Sequence, residues 1–363
     1  MFQKISIIGT GLIGGSLGLA LRQQKNQNFK ITGFDIDSKS LNVALEIGAI
    51  TEKANSIEDA VKDADVVFLC TPIGEILKQI QIIAKSVRSG TIITDVGSVK
   101  KIILKEAEKI KNDVYFIGGH PMAGSERKGI YSADPFLFQN AVYVLCPSFN
   151  VPIKIVNNFI ELIKLTGANI ILLDPEIHDR ISAYISHLPQ LLAVLLVNTA
   201  GAMGTDYLSL AGGGFRDLTR IASSQFEIWH DIISFNREKI TEALDNFING
   251  LYKYRNLVKS GEIENFKIEF ETAFKFRNEI PSSRKGFINP LYDVFIIVED
   301  KPGVLSKIST ALYQGGLNIK DIELLRVREG IGGTFRISFG SESDAKKAIE
   351  IINSLGYKVF TRE

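Results

Sequence analysis

A glycine-rich turn placed directly behind an apolar strand constrains this chain more than any other feature. Gly9, Gly11 and Gly14 follow the run KISII in the pattern G-x-G-x-x-G, and the residues after Gly14 continue with helical spacing. Such a turn needs glycine for a tight reversal, for a backbone bare enough to approach a pyrophosphate, and for close packing of helix on strand, with the phosphates at the helix N-terminus. The pattern alone is weak, and its weight comes from Asp35. That residue ends a second β-rich run about 20 residues further on, where an acid accepts hydrogen bonds from the ribose hydroxyls. An acid there repels a 2′-phosphate, so NAD is favoured over NADP, with Lys39 nearby as the one feature that argues the other way. The cofactor-binding set is Gly9, Thr10, Gly11, Leu12, Ile13, Gly14 and Asp35.

From Lys4 to Asp174 the runs KISIIG, KITGFD, ADVVFLC, GTIITDV, VYFIGG, AVYVLC and NIILLD alternate with helical stretches, the rhythm of a parallel, doubly wound α/β sheet. Several are apolar without alternation, as strands covered on both faces are. Thr71 and Pro72 end ADVVFLC at the carboxyl edge, where open α/β sheets bind ligands, and are expected beside the nicotinamide ribose. After Pro175 the spacing becomes helical as far as Leu257, broken by Pro189 and the cluster Gly212, Gly213, Gly214. Lys259 to Asn289 is polar and reads as a surface segment and linker. Tyr292 to Glu363 reads βαββαβ, a ferredoxin-like order. Three domains are expected: a Rossmann-type nucleotide-binding domain over 1–174, an all-helical substrate and dimerisation domain over 175–285, and a small α/β domain over 290–363.

The 363 residues are 45% hydrophobic and 23% charged, which suits a soluble globular chain of two or three domains. With 42 Lys and Arg against 41 Asp and Glu, no general field recruits nucleic acid or an anionic membrane, and a small-molecule partner is expected. The N-terminus lacks a basic start and apolar stretch, and Leu191 to Val197 falls far short of the roughly 20 residues of a membrane span. That run is expected to be a buried helix, and the protein to be cytoplasmic. Cys70 and Cys146 lie in separate strand-like runs and read as reduced core residues, and no metal site is expected.

Chemistry concentrates at two strand ends. Asp95-Val96-Gly97-Ser98-Val99-Lys100 closes GTIITDV, and Gly118-Gly119-His120-Pro121-Met122-Ala123-Gly124-Ser125-Glu126 closes VYFIGG. Hydride transfer from a carbinol carbon needs a group that takes the hydroxyl proton, and an imidazole titrates in the useful range. Of four histidines, His120 alone sits in a glycine-rich strand-end loop. His178, His187 and His230 lie in helical surroundings, where a structural or surface role is the safer expectation.

The segments DVGSVK and GGHPMAGSE, followed by SHLPQ (Ser186 to Gln190) and GGGFRDLTRIASS (Gly212 to Ser224) with Trp229 beyond, resemble the motif series of prephenate dehydrogenases. The last unit, with Glu299-Asp300-Lys301-Pro302-Gly303-Val304-Leu305 and Gly316-Leu317-Asn318-Ile319, resembles an ACT domain. The resemblance implies NAD-dependent oxidation of the C4 hydroxyl of prephenate with loss of the ring carboxylate as carbon dioxide, giving 4-hydroxyphenylpyruvate. It implies His120 as the proton acceptor, Ser98 as its orienting partner, and Arg220 as the carboxylate-binding arginine, with Ser125, Glu126, Ser186 and Gln190 near the substrate. It also implies an amino-acid effector, tyrosine by pathway logic, at Gly303, Val304, Leu305, Asn318 and Ile319, and a homodimer.

One departure stands out: related enzymes often carry a second histidine where this chain has Gln190, so arogenate remains the alternative substrate. A dehydrogenase of the 6-phosphogluconate type would want a lysine base in the helical domain. A catalytically silent NAD and amino-acid sensor would have no need of Ser98, His120 and Arg220 together.

Overall fold

A computed structural model describes residues 2–24, 27–111, 113–124, 128–280, 291–328 and 332–361. They form two compact units, Met1–Glu271 and Thr272–Glu363.

The first unit is built on an eight-stranded sheet in the order β3-β2-β1-β4-β5-β6-β7-β8. Its strands are β1 (Lys4–Ile8), β2 (Lys30–Phe34), β3 (Glu52–Lys53), β4 (Val66–Leu69), β5 (Ile92–Asp95), β6 (Tyr115–Pro121), β7 (Val142–Pro147) and β8 (Asn169–Leu172). Alternate residues of one strand enter opposite cores. Ile8, Val67, Leu69 and Ile93 pack on one face, while Ile5, Ile7, Val66, Phe68 and Ile92 pack on the other. Helices cover both faces, which is why the strand runs carry no polar alternation.

The expectation of an all-parallel sheet is corrected at β7, which runs antiparallel to β6, with Gly119 opposite Leu145 and His120 opposite Val144. β8 pairs parallel to β7, so both final strands oppose the rest. A parallel return requires a crossover long enough to carry the chain back, usually a helix. Between β6 and β7 the described residues offer only the short 3₁₀ turn Ile130–Ser132. β3, two residues long, is too short to leave a periodic signal.

Asp174 opens the helical region by accepting the backbone N–H groups of Glu176 and Ile177, so the helix Pro175–Ser182 starts at a capped proline. A π-helical turn, Ala183–His187, joins it to the helix Leu188–Gly201. Pro189 cannot donate to a helical carbonyl, and a π-turn just before it relieves that break. The run Leu191 to Val197 is not buried as expected: only Ala193 is, while Leu195 and Leu196 are 58% and 38% exposed. Over Pro175–Gly201 the chain is long and apolar enough to cross a membrane. Yet His178, Asp179, His187 and Gln190 are buried in polar contacts along it, so one side of the segment packs within the folded unit. The helices Phe226–Phe235 and Arg237–Ser260 complete this region.

The second unit is a four-stranded antiparallel sheet, β10 (Asp321–Arg328), β11 (Gly332–Phe339), β9 (Tyr292–Val298), β12 (Lys358–Phe360), in that spatial order. The helices Val304–Gln314 and Glu342–Ser354 pack Ile308, Leu312, Ala348 and Ile352 against Val294, Ile296 and Ile337. This is the expected βαββαβ unit, with its second strand over Asp321–Arg328.

Candidate active site

The glycine turn has the shape that the sequence demanded. Gly9 holds φ at +93°, and a Cβ there would lie 2.8 Å from the Cys70 carbonyl oxygen. At Gly14 a Cβ would come within 2.1 Å of the Gly9 carbonyl. Gly11 faces open space, with nothing within 4 Å of where its Cβ would stand. It also opens the helix Leu12–Arg22, which has no side-chain cap, so the first-turn N–H groups face outward for an anion. Asp35, just past β2, is tied to this turn. Its Oδ2 accepts the Thr10 N–H at 2.7 Å and the Thr10 hydroxyl at 3.1 Å, and its Oδ1 accepts the Asp37 N–H at 2.9 Å. Oδ1 keeps acceptor capacity for a further donor.

Thr71 donates its hydroxyl to Gln79 Oε1 at 3.0 Å, and Pro72 caps the helix Ile73–Ser86. Asp231, which the sequence did not single out, reaches from the helix Phe226–Phe235 to accept the Gly74 N–H at 2.7 Å. The helical region thus caps a helix that starts at the cofactor edge of the sheet.

His120 lies beyond Ile117, the last β6 residue paired with β5, so it emerges at the sheet's carboxyl edge. It is 9% exposed. Its Nδ1 stands 2.8 Å from His178 Nε2, and His178 Nδ1 stands 2.8 Å from Asp179 Oδ1. Asp179 accepts in addition the N–H groups of Lys100 and Lys101, at 2.7 and 2.9 Å, and its own carbonyl accepts Asn236 Nδ2 at 2.9 Å. The Lys100 ammonium is wholly buried against the Asp95 carboxylate and donates to the Gly119 carbonyl at 2.7 Å, next to His120. Asp95 also accepts the Gly97 and Gly119 N–H groups, at 2.8 and 3.2 Å. One polar network therefore holds together the ends of β5 and β6 and the helix Pro175–Ser182.

Burial, then the neighbouring His178, Lys100 and His187, holds the His120 imidazole well below its usual range and so neutral at neutral pH. Burial pushes His187 down to about 4, against an opposing pull from Asp179. His187 Nδ1 meets Asn236 Nδ2 at 3.2 Å, its ring stands edge-on to Trp229 at 6.0 Å, and its buried Nε2 has no partner among the described residues.

His178, for which a structural or surface role was expected, is buried and is the hydrogen-bond partner of His120. Ser98, expected to orient His120, is half-buried in the loop that follows β5 and makes no hydrogen bond to it among the described residues. Gln190 is buried; its Nε2 donates to the Ile221 carbonyl at 3.0 Å and its Oε1 accepts the Ser224 hydroxyl at 3.4 Å. It thereby fixes the 3₁₀ turn Arg220–Ser223, on which Arg220 is exposed. Ser186 is half-buried in the π-turn. Ser125 and Glu126 lie outside the described residues.

In the second unit a cavity of about 230 Å³ is lined by Gly303, Val304 and Leu305 together with Asp300, Leu324 and Phe335. Gly303 opens the helix Val304–Gln314 with φ at +87°. Of the remaining expected effector residues, Asn318 is exposed and Ile319 packs on the small core; neither lines this cavity.

Three family models match the chain in succession. The prephenate dehydrogenase nucleotide-binding domain spans residues 17–172, the prephenate dehydrogenase dimerization domain 174–272, and the ACT domain 292–357. Prephenate dehydrogenase of Bacillus subtilis is 37% identical over 359 residues, 98% of this chain and 96% of that protein. The chain belongs to the prephenate dehydrogenase family. Solved structures agree with this membership. Prephenate dehydrogenase from A. aeolicus, in complex with hydroxyphenyl propionate and NAD+, is 30% identical with a TM-score of 0.72, covering 77% of this chain and 99% of that one. Synechocystis arogenate dehydrogenase is 27% identical with a TM-score of 0.68, covering 77% of this chain and 100% of that one. In this prephenate dehydrogenase family member, the residues around His120 therefore belong to a dehydrogenase scaffold matched from the first helix to the end of the chain's ACT unit.

Proposed function

We propose that this protein catalyses the NAD-dependent oxidative decarboxylation of prephenate to 4-hydroxyphenylpyruvate, serving tyrosine synthesis in the cytoplasm as a homodimer. The observation that carries this reading is a neutral, nearly buried His120 at the carboxyl edge of the sheet that also presents the glycine turn. NAD fits the residues present: the open face at Gly11, the uncapped helix start and the Asp35 carboxylate would hold its pyrophosphate and ribose, with Thr71 and Pro72 near the nicotinamide end. When bound, it supplies the hydride acceptor.

His120 takes the C4 hydroxyl proton, and its low proton affinity keeps the base free at neutral pH. Arg220 binds a substrate carboxylate through its planar fork, and Gln190 holds the turn that carries it. Ser98, Ser125, Glu126 and Ser186 complete the substrate side. We place the domain limits at 1–174, 175–285 and 290–363. The third domain binds an amino-acid effector, tyrosine, at Gly303, Val304 and Leu305, with Asn318 and Ile319 meeting it from a paired copy. Exposed Leu195, Met203, Tyr207 and Leu210 of the helical region suit burial against a second subunit.

Initial rates of reduced-cofactor formation with prephenate and with arogenate, using NAD and then NADP, test the proposal. Prephenate with NAD is expected to be the best pair. A clear preference for arogenate would assign the alternative substrate, and inactivity on both would reject the enzyme reading.

A further inference from the structure

We infer that His178 is a positioning residue that, anchored by Asp179, fixes the tautomer of His120 so that its Nε2 lone pair is the one offered to the substrate hydroxyl. This rests on the proposed role of His120 as proton acceptor. The argument follows the donors one by one. A carboxylate only accepts hydrogen bonds, and Asp179 already accepts the Lys100 and Lys101 N–H groups, so His178 Nδ1 must be the donor in its 2.8 Å contact with Asp179 Oδ1. With a single N–H on the ring, given to Asp179, His178 Nε2 is then an acceptor. Its 2.8 Å partner, His120 Nδ1, must therefore carry the His120 proton. What remains on His120 is a bare Nε2, the atom a general base needs.

The surroundings hold this order in place. His178 and Asp179 are 1% and 2% exposed, so water does not compete for the chain of bonds. Ser182 Oγ stands 3.3 Å from His178 Nε2 and can donate to the same lone pair, which leaves the acceptor role of that nitrogen unchanged. The two rings meet edge-on, with centroids 5.0 Å apart, so His120 cannot turn over without losing the contact. During turnover the C4 hydroxyl proton passes to His120 Nε2 while the C4–H bond breaks with its electron pair, leaving as hydride for which NAD, when bound, is the acceptor, and a C4 carbonyl forms; the bond to the ring carboxylate then breaks, carbon dioxide leaves, and that bond's electron pair aromatises the ring onto the C4 oxygen. The resulting imidazolium keeps donating its Nδ1–H to His178, and Asp179 offsets the added charge through the second ring. The proton returns from His120 Nε2 to that oxygen, so the product leaves as the phenol and the base is restored.

The test pairs His178→Leu, which removes the acceptor, with His178→Gln, whose amide oxygen can still accept from His120 Nδ1. In the full-length protein, ¹⁵N spectra of labelled histidine rings are expected to show wild-type His120 as the Nδ1–H tautomer, and as a mixture of tautomers in His178→Leu. With NAD and prephenate, kcat is expected to fall about 100-fold in His178→Leu while KM for NAD stays within about twofold, and His178→Gln to recover at least about tenfold of the loss. A merely structural role would move KM and both variants alike. Wild-type His120 found as the Nε2–H tautomer, or a folded His178→Leu with near wild-type kcat, would overturn the inference. The spectra need no turnover, so a chain inactive on prephenate would reject the proposed reaction while leaving the tautomer assignment to stand or fall on its own signals. If His178→Leu does not fold, the wild-type tautomer and the kcat of His178→Gln decide the matter.

Discussion

The pocket around His120 and the cavity beneath Gly303 are built on opposite plans. At His120 nearly every polar atom is committed: Asp95, Lys100, Gly119, His178, Asp179 and Asn236 are joined across four separate stretches of chain. At Gly303 glycines and apolar side chains line the cavity together with the charged run Glu299 to Lys301, whose Glu299–Lys301 pair is solvent-exposed. The difference suits the tasks proposed for the two sites. Proton transfer needs one tautomer in one place, so misplacement by an ångström costs rate. An effector site needs only a difference in affinity between two states, which an open, unsaturated cavity provides.

Substitutions break this comparison in graded steps. His120→Asn removes the base from the wired site, and kcat is expected to fall about 1000-fold with NAD binding retained, as initial rates and a fluorescence titration would read. Arg220→Ala is expected to raise KM for prephenate about 100-fold with a smaller change in kcat, the loss of a charge-assisted pair. Gly303→Val forces a β-branched residue into a left-handed backbone and is expected to weaken tyrosine inhibition about tenfold in a dose-response assay.

The smallest effect is on stability. Burial holds the His187 imidazole down to about 4 in the folded chain, against its ordinary 6.5. Above 6.5 it is neutral in both states and stability is at its full value. As pH falls from 6.5 towards 4 the unfolded chain binds a proton that the folded one refuses, so stability drops across that window. Thermal unfolding scans are expected to show Tm falling there, with a flatter profile in His187→Gln.

What could be read from the sequence depended on how local the signal was. Gly9, Gly11, Gly14 and Asp35 are close along the chain and each obeys a steric or charge rule, so the turn was legible. The position of His120 followed from its strand end. His178 was not legible, because its partner lies 58 residues away and helical spacing does not say which side meets the sheet. The direction of β7 was open to inference from the missing helix after His120, but strand composition alone hides it. Leu191 to Val197 misled because an exposed apolar face and a buried core face can have the same composition. Gln190 proved to be a strut for the turn bearing Arg220, a role that its place in the motif could not reveal.

The measurement that tests the account most directly is the stoichiometry of the reaction on purified full-length protein given prephenate and NAD. Equal amounts of NADH and carbon dioxide, with 4-hydroxyphenylpyruvate as the organic product, are predicted. NADH formed without carbon dioxide, or neither product formed, would contradict it.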